Sequence, residues 1–164
     1  VANDTIDTAF DGATVYCRLG ATKVAGNKLE YGDSIKVEKV KRFGQQGPGA
    51  RTLGSYELKD GKLTIETGIL RRILMPKLPA NGITLFEFPI TAQQRHPSLG
   101  TYSVILDRVR LIGIEESLEA SEKAAMVDVA LDYMQIFRRG ADGVWKSLNI
   151  IPTQPSPQAA QFML

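Results

Sequence analysis

The chain is predicted to be mainly β: an antiparallel sandwich or partly closed barrel with one short flanking α-helix and a long loop. Three observations point there. Most apolar residues alternate with polar ones between clusters of Gly, Pro, Asn and Asp. A single segment repeats its apolar residues at helical spacing, and one glycine-rich run has no apolar period at all.

Residues 13–20, ATVYCRLG, are rich in β-formers and bounded by Gly12 and Gly20, which reads as a short strand. AGN at 25–27 and YGD at 31–33 signal turns. In 34–42, Ile35 and Val37 alternate with Lys36 and Glu38, so a strand with one buried and one wet face is expected. Residues 43–52 lose that pattern, and Gly44, Gly47, Pro48 and Gly49 make them a loop. SYEL and KLTIE then flank Lys59-Asp60-Gly61-Lys62. Both central residues of an Asp-Gly turn tolerate positive φ, so a hairpin is expected, with Leu63 and Ile65 on one face and Lys62, Thr64 and Glu66 on the other.

TGILRRILMPKLP supplies the helix: Ile69, Leu70, Ile73 and Leu74 share a stripe opposite Arg71 and Arg72, Thr67 caps its start and Pro76 stops it. So short a helix must be stabilised by docking on a sheet. Residues 82–139 read as long β-structure. ITLFEFPI sets Phe86, Phe88 and Ile90 against Ile83 and Leu85, and HPSLG turns the chain. TYSVILDRVRLIGIE is a long strand, with Gly113 marking a bend or bulge that passes it between two sheets. SLEASEK is an acidic turn and AAMVDVALDYMQIF a second long strand. On that strand Val127, Val129, Leu131 and Tyr133 form the core face, while Asp128, Ala130 and Asp132 lead into Met134 and Ile136 on the other. The apolar end of that second face calls for a cover, either the helix or another subunit.

With 164 residues the chain fits one domain with a real core. A net charge of +2 and a pI near 8.7 are too mild to argue for nucleic acid. Cys17 is the only cysteine, so no internal disulfide forms, and with His96 the only histidine no Cys/His metal spacing exists. The opening VANDTIDTAFDG lacks the basic start and apolar core of a signal peptide, and no apolar run reaches the roughly 18–20 residues that span a bilayer. The expectation is a soluble protein or soluble assembly. The chain divides into an N-terminal arm (1–12), a β domain (13–148) and a Pro-rich tail or arm (149–164), in which Pro152, Pro155 and Pro157 forbid a regular helix or central strand.

Catalytic chemistry finds little support. A Ser/His/Asp or Cys/His set would need His96, which sits before a proline in a polar turn, the usual place of a surface histidine. Cys17 lies in an apolar strand, as a small buried side chain does. The carboxylate pairs Glu115/Glu116 and Asp128/Asp132 fit acidic turns and wet faces. No enzyme and no cofactor are therefore expected. The run GQQGPGART lacks the lysine of a phosphate-binding loop and leads into a strand, not a helix. Lys36, Lys39, Lys41, Arg42 and Arg51 lack interleaved aromatics beyond Phe43, so a basic strand edge that resists aggregation is favoured over a nucleic-acid platform. A β-barrel that grips single strands stays open as an alternative, as does a small enzyme with a pocket around His96 or the carboxylates. Arg71–Arg72, Arg108/Arg110 and Arg138–Arg139 form ion pairs between copies, or are merely exposed charges.

The order of elements is the more informative signal. FGQQGPGARTLGSYELKDGKLTIE, the helix GILRRIL, and GIEESLEASEKAAMVDVALDYMQIF together resemble the tail tube proteins of tailed bacteriophages. The matching residues are Thr52, Gly54, Tyr56, Glu57, Gly61, Leu63 and Thr64, then Ile112, Gly113, Glu115, Ser117, Ser121, Val127, Val129 and Leu131. The likeness runs over about 13–148; the opening residues and the stretch after Asn149 have no counterpart, and Glu122 stands where the family carries aspartate. Baseplate and terminator components and the type VI secretion tube share this fold, so another ring-forming tail component, baseplate or terminator, is the alternative that the resemblance leaves open.

The resemblance implies a structural virion protein, assembled in the host cytoplasm into hexameric rings that stack as a hollow tail tube. Its partners would be identical copies, a tape-measure protein, and sheath and baseplate proteins; DNA passes through without specific binding, and no membrane is involved. A ring-to-ring loop would include Phe43, Gly44, Gly47, Pro48, Gly49, Arg51, Gly54 and Tyr56, its glycines giving conformational reach. Glu115, Glu116, Glu119, Asp128 and Asp132 are candidates for an acidic lumen or rim that keeps DNA from sticking.

Overall fold

The computed structural model describes residues 11–19, 22–41, 44, 47, 49–96, 98–117 and 125–164. The first strands are β1 (Asp11–Leu19), β2 (Thr22–Gly26), β3 (Lys28–Glu30), β4 (Asp33–Val40), β5 (Ala50–Leu58) and β6 (Gly61–Glu66), most of them built on alternating apolar residues. A compound helix comes next, α1 (Thr67–Ile69) running into a π turn (Leu70–Leu74) and a 3-10 turn (Met75–Lys77). Then come β7 (Phe88–His96), β8 (Gly100–Glu115), β9 (Met126–Asp132), β10 (Gln135–Arg139), β11 (Trp145–Lys146) and a one-turn α2 (Pro157–Ala160).

Two antiparallel layers share β8. The order along the sheet is β2-β1-β7-β8-β9-β6-β3, with β10 also on β8 and β11 beyond it. The first half of β8 pairs with β7 and β10, and the second half, from Arg110, pairs with β9. The layers then face each other as a sandwich, with no closed barrel among the described residues. Val15, Cys17, Val24, Ile90 and Leu106 of one layer meet Leu63, Ile65, Val127, Val129 and Leu131 of the other in a single buried cluster. At about 25 cal/mol per Å² of apolar surface, this burial is the main term opposing chain entropy.

The chain passes between layers at Asp107–Arg110, not at Gly113. Arg108 has a φ of 53°, a left-handed conformation that re-aims the strand. Asp107 stabilises it by accepting the Arg108 N–H at 2.9 Å, and the Asp107 carbonyl takes Met134 N–H at 3.1 Å. Gly113 does mark a bulge, where the β8–β9 register shifts between Leu111 and Gly113.

The expected last long strand is broken into β9 and β10 at Tyr133–Met134, opposite that bend. The break changes the parity of the strand. Ile136 therefore faces the main core and is fully buried, while Met134 is exposed; neither the helix nor a second subunit is needed to cover Ile136. The opposite side of β10 and β8, with Phe137 and Ile105, is covered by the chain's own C-terminal segment through Ala159, Phe162 and Met163.

That segment contains one turn of helix despite its prolines, because Pro157 occupies the first helical turn, where no N–H partner is lost. Ser156 caps it by accepting from Ala159 N at 3.2 Å, and its own N–H donates to buried Asp107 at 2.8 Å. Buried Gln135 adds two links, donating to Ser147 at 3.0 Å and accepting from Thr153 N at 2.9 Å.

Three further expectations are corrected. The Asp60-Gly61 hairpin does not form: β5 pairs with β4, and β6 pairs with β3 and β9. Leu63 and Ile65 give β6 a face to bury, as expected, but β5 has no such face. Gly61 is instead packed beneath Tyr133, whose ring carbon lies 2.8 Å from where a Cβ would stand. Residues 83–85 form a 3-10 turn entered through left-handed Gly82, so Leu85 is exposed and the strand starts at Phe88. In the helix Leu70 and Leu74 are buried, but the π turn rotates Ile73 outwards. Thr67 donates its hydroxyl to Ala125 O and caps nothing, and Pro76 lies inside the 3-10 turn, not after it.

Candidate assembly surface

β4 and β5 form a two-stranded ribbon hydrogen-bonded to no other strand among the described residues. Its sequence explains this. Along ARTLGSYEL, Leu53, Tyr56 and Leu58 never establish a continuous apolar face, so only the strand's end, at Leu58, packs on the core. Val37, Val40 and Leu53 remain exposed at 47%, 45% and 56%. The expected buried face of β4 is thus absent within one chain. Pairing sets Val37 beside Leu53 and Lys39 beside Arg51 on the same ribbon face, an apolar step next to a basic one. A register shift between Ile35 and Val37 bulges β5, and Gly54 sits there because a Cβ would lie 3.0 Å from the Lys36 carbonyl oxygen.

The ribbon's base is fastened by residues far away in sequence. The buried Tyr133 hydroxyl accepts Gly32 N–H at 3.1 Å and approaches the carbonyls of Gly32 (3.0 Å) and Lys59. Lys59 N–H also bonds Gly32 O at 2.9 Å, closing the ribbon neck. Arg138 grips Asp33 through two guanidinium nitrogens at 2.7 and 3.1 Å, and Tyr56 donates to Asp33 at 2.6 Å. Asp33 has a side chain only 2% exposed, and Arg138 and Tyr56 supply its hydrogen bonds there. Burial, aided by the hydrogen bond to Asp33, pushes the Tyr56 phenol above its ordinary range; the same carboxylate raises Arg138. Nothing local in the sequence signalled this clamp, since Arg138 and Asp33 stand 105 residues apart.

Of the loop residues singled out by sequence, Gly44, Gly47 and Gly49 lie between the ribbon strands, and Phe43 and Pro48 lie outside the described residues. Arg51, Gly54 and Tyr56 belong to β5, which begins at Ala50; the expected loop through Thr52 is shorter because cross-strand bonds reach Val40–Ala50. Arg42 is likewise outside the described residues.

The acidic candidates share one surface in part. Asp128 and Glu115 are register partners on the outward face of the second layer, and Asp132 lies opposite Arg110 there. Lys28, Lys62 and Thr64 occupy the same face, so it carries both signs. Thr64 donates to Asp128 at 2.8 Å and Lys62 stands 3.2 Å away, which together hold the Asp128 carboxyl below its ordinary range. Glu116 is exposed just past β8, and Glu119 and Glu122 are outside the described residues.

Several of the arginines read as inter-copy partners are engaged within the chain. Arg110 pairs with Glu87 at 2.6 Å, Arg138 with Asp33, Arg108 reaches Gln154 O at 3.4 Å, and Arg139 stacks on Trp145. Arg71 and Arg72 stay on the exposed side of the helix. Cys17 is fully buried and desolvation pushes its thiol up to about 12. His96 ends β7, paired with Gly100. No helix among the described residues is long and apolar enough to cross a membrane.

No protein family profile matches the chain, and no curated protein matches its sequence. Solved structures do. The sheath–tube complex of an extracellular contractile injection system in its extended state contains a chain similar over 82% of this one and 94% of that one, with TM-score 0.58 and 14% identity. The anti-feeding prophage baseplate offers another, over 79% and 91%, with TM-score 0.54 and 10% identity. The Hcp1 protein of E. coli EAEC 042 matches over 82% and 96%, with TM-score 0.52 and 12% identity. The sandwich thus has a tail-tube-like fold, shared with chains of a contractile injection sheath–tube complex, an anti-feeding prophage baseplate and a type six secretion system protein.

Proposed function

We propose that this chain is a structural component that assembles with identical copies into stacked, hexameric rings, forming the hollow tube of a phage-like tail. The observation that carries the reading is the β4–β5 ribbon: a strand pair with exposed Val37, Val40 and Leu53, held firmly at its base and bonded to no sheet of its own chain among the described residues. An exposed, partly apolar strand pair is a liability in a monomer and a ready element for a neighbour. The end strands β2 and β3 leave further edges for pairing between copies. The tail-tube-like fold supports the same reading.

In this reading Gly44, Gly47 and Gly49 give the ribbon tip its reach towards the adjacent ring, together with Phe43, Pro48, Arg51, Gly54 and Tyr56. Glu115, Glu116, Glu119, Asp128 and Asp132 line the channel or its rim. Tape-measure protein and then DNA pass through the bore without specific binding, and sheath and baseplate proteins contact the outside. The finished tube belongs to the virion.

Electron microscopy and sedimentation of the purified chain test this. Rings or tubes are expected at tens of micromolar protein. Val37→Asp with Leu53→Asp should leave a folded monomer, because neither side chain enters the core. A wild-type chain that stays monomeric at high concentration overturns the proposal. Salt-sensitive oligonucleotide binding by that monomer would point instead to a nucleic-acid module.

A further inference from the structure

We propose that a pocket on the outer face of the first layer binds a carboxylate on a short apolar stem, such as an aspartate or glutamate side chain. The cavity holds about 200 Å³ and lies between β1, β7, β8 and the C-terminal segment, away from the ribbon. The proposal goes beyond ring assembly and does not depend on it.

Its unpartnered buried groups can all donate. Arg18 Nε, Ser103 Oγ and Trp145 Nε1 are all buried, all belong to residues lining the cavity, and all lack a hydrogen-bond partner among the described residues. Ser103 is 3% exposed, so bulk water does not satisfy it. Buried donors are nearly always paired in a finished structure; three unpaired ones around one cavity mark a missing acceptor. The charge points the same way. Arg18 and Arg139 both line the pocket, neither forms an ion pair among the described residues, and no described aspartate or glutamate lines it.

Both guanidinium groups are held by aromatic faces. Arg18 stands 4.3 Å from the Phe162 ring centroid and 5.3 Å from that of Tyr16, and Arg139 stands 4.7 Å from that of Trp145. Stacking fixes a guanidinium plane; Arg18 also reaches the Tyr16 side chain, and its unpartnered Nε and the Arg139 edge are left to receive a flat carboxylate. Lys23, 4.7 Å from the Tyr16 centroid, adds positive potential nearby. Ile105 and Phe162 supply an apolar wall for the stem. A tetrahedral phosphate, doubly charged and strongly hydrated, matches these aromatic and aliphatic walls less well.

The only tryptophan of the chain lies in the site, which makes the test specific. The Trp145 indole N–H resonance is followed while acetate, a glutamate blocked at both backbone ends, phosphate, or chloride at matched ionic strength is added. Saturable shifts are expected with acetate and the blocked glutamate but not with chloride, the glutamate binding tighter because its methylenes meet Ile105 and Phe162. Tighter acetate would still support the carboxylate site and would name a free small acid as its source. Arg18→Gln should weaken binding about tenfold, the size of one lost charge-assisted hydrogen bond. Ser103→Ala tests the same site should Arg18→Gln not fold. No saturable response to either carboxylate, tighter phosphate than carboxylate binding, or unchanged affinity in the folded variants overturns the proposal.

Discussion

Replacing Tyr133 by Phe tests how the ribbon is fastened. The ring is 2% exposed and packs over Gly61, so the substitution keeps the apolar contacts and removes only the hydroxyl. That hydroxyl accepts Gly32 N–H at 3.1 Å and has one proton to share between the carbonyls of Gly32 and Lys59. Two hydrogen bonds are therefore lost at any moment, each worth about 1 kcal/mol net. Gly32 is half-buried and Lys59 exposed, so water recovers part of that loss. The expected cost is about 1–2 kcal/mol, read as a lower urea midpoint at unchanged slope, because the surface exposed on unfolding is the same. Amide exchange locates the effect: residues 33–58 should exchange faster, while β9 keeps its protection. A stability change below about 0.5 kcal/mol with unchanged ribbon exchange would refute the clamp, since that is the usual size of a neutral surface change.

The other predictions are independent. Gly61→Ala should cost about 1–3 kcal/mol by overpacking, because its Cβ would meet Tyr133 at 2.8 Å and Leu131 at 3.1 Å; Gly47→Ala, with nothing within 4 Å, should change denaturation by less than about 0.5 kcal/mol. Cys17, with its thiol near 12, should leave on the order of one molecule in ten thousand ionised at pH 8, so a thiol reagent reacts only after unfolding; rapid native labelling would contradict the burial. Asp128 is held below its ordinary carboxyl range, so its contribution is present above that range and is lost as pH falls through the folded value. In Thr64→Val its NMR titration should move back towards the ordinary value, and an unmoved titration would exclude the Thr64 bond as the main cause.

The sandwich was legible because strand alternation is local. Leu63 and Ile65, or Val127, Val129 and Leu131, announce their faces without any knowledge of a partner. The candidate assembly surface was legible only in part: the loop glycines and Gly54 are marked by type, whereas Asp33, Tyr133 and Arg138 look ordinary in sequence. The pocket proposed for a carboxylate was not legible at all, since Arg18, Ser103 and Trp145 come from three separate strands.

By itself the sequence determined which residues alternate, where the chain could turn, and that one short helix interrupts a β protein. Only the tertiary structure decided which strands pair. Asp60-Gly61 is a competent hairpin turn, yet β6 is drawn to β3 and β9 because Leu63 and Ile65 gain burial there, and β5 has no apolar face to compete. Likewise the left-handed Arg108 re-aims β8, and the break at Tyr133 reverses the parity of β10 relative to β9, sending Ile136 into the core and Met134 to the surface. Facing is a property of neighbouring residues, but pairing is settled by which distant surfaces exclude water together.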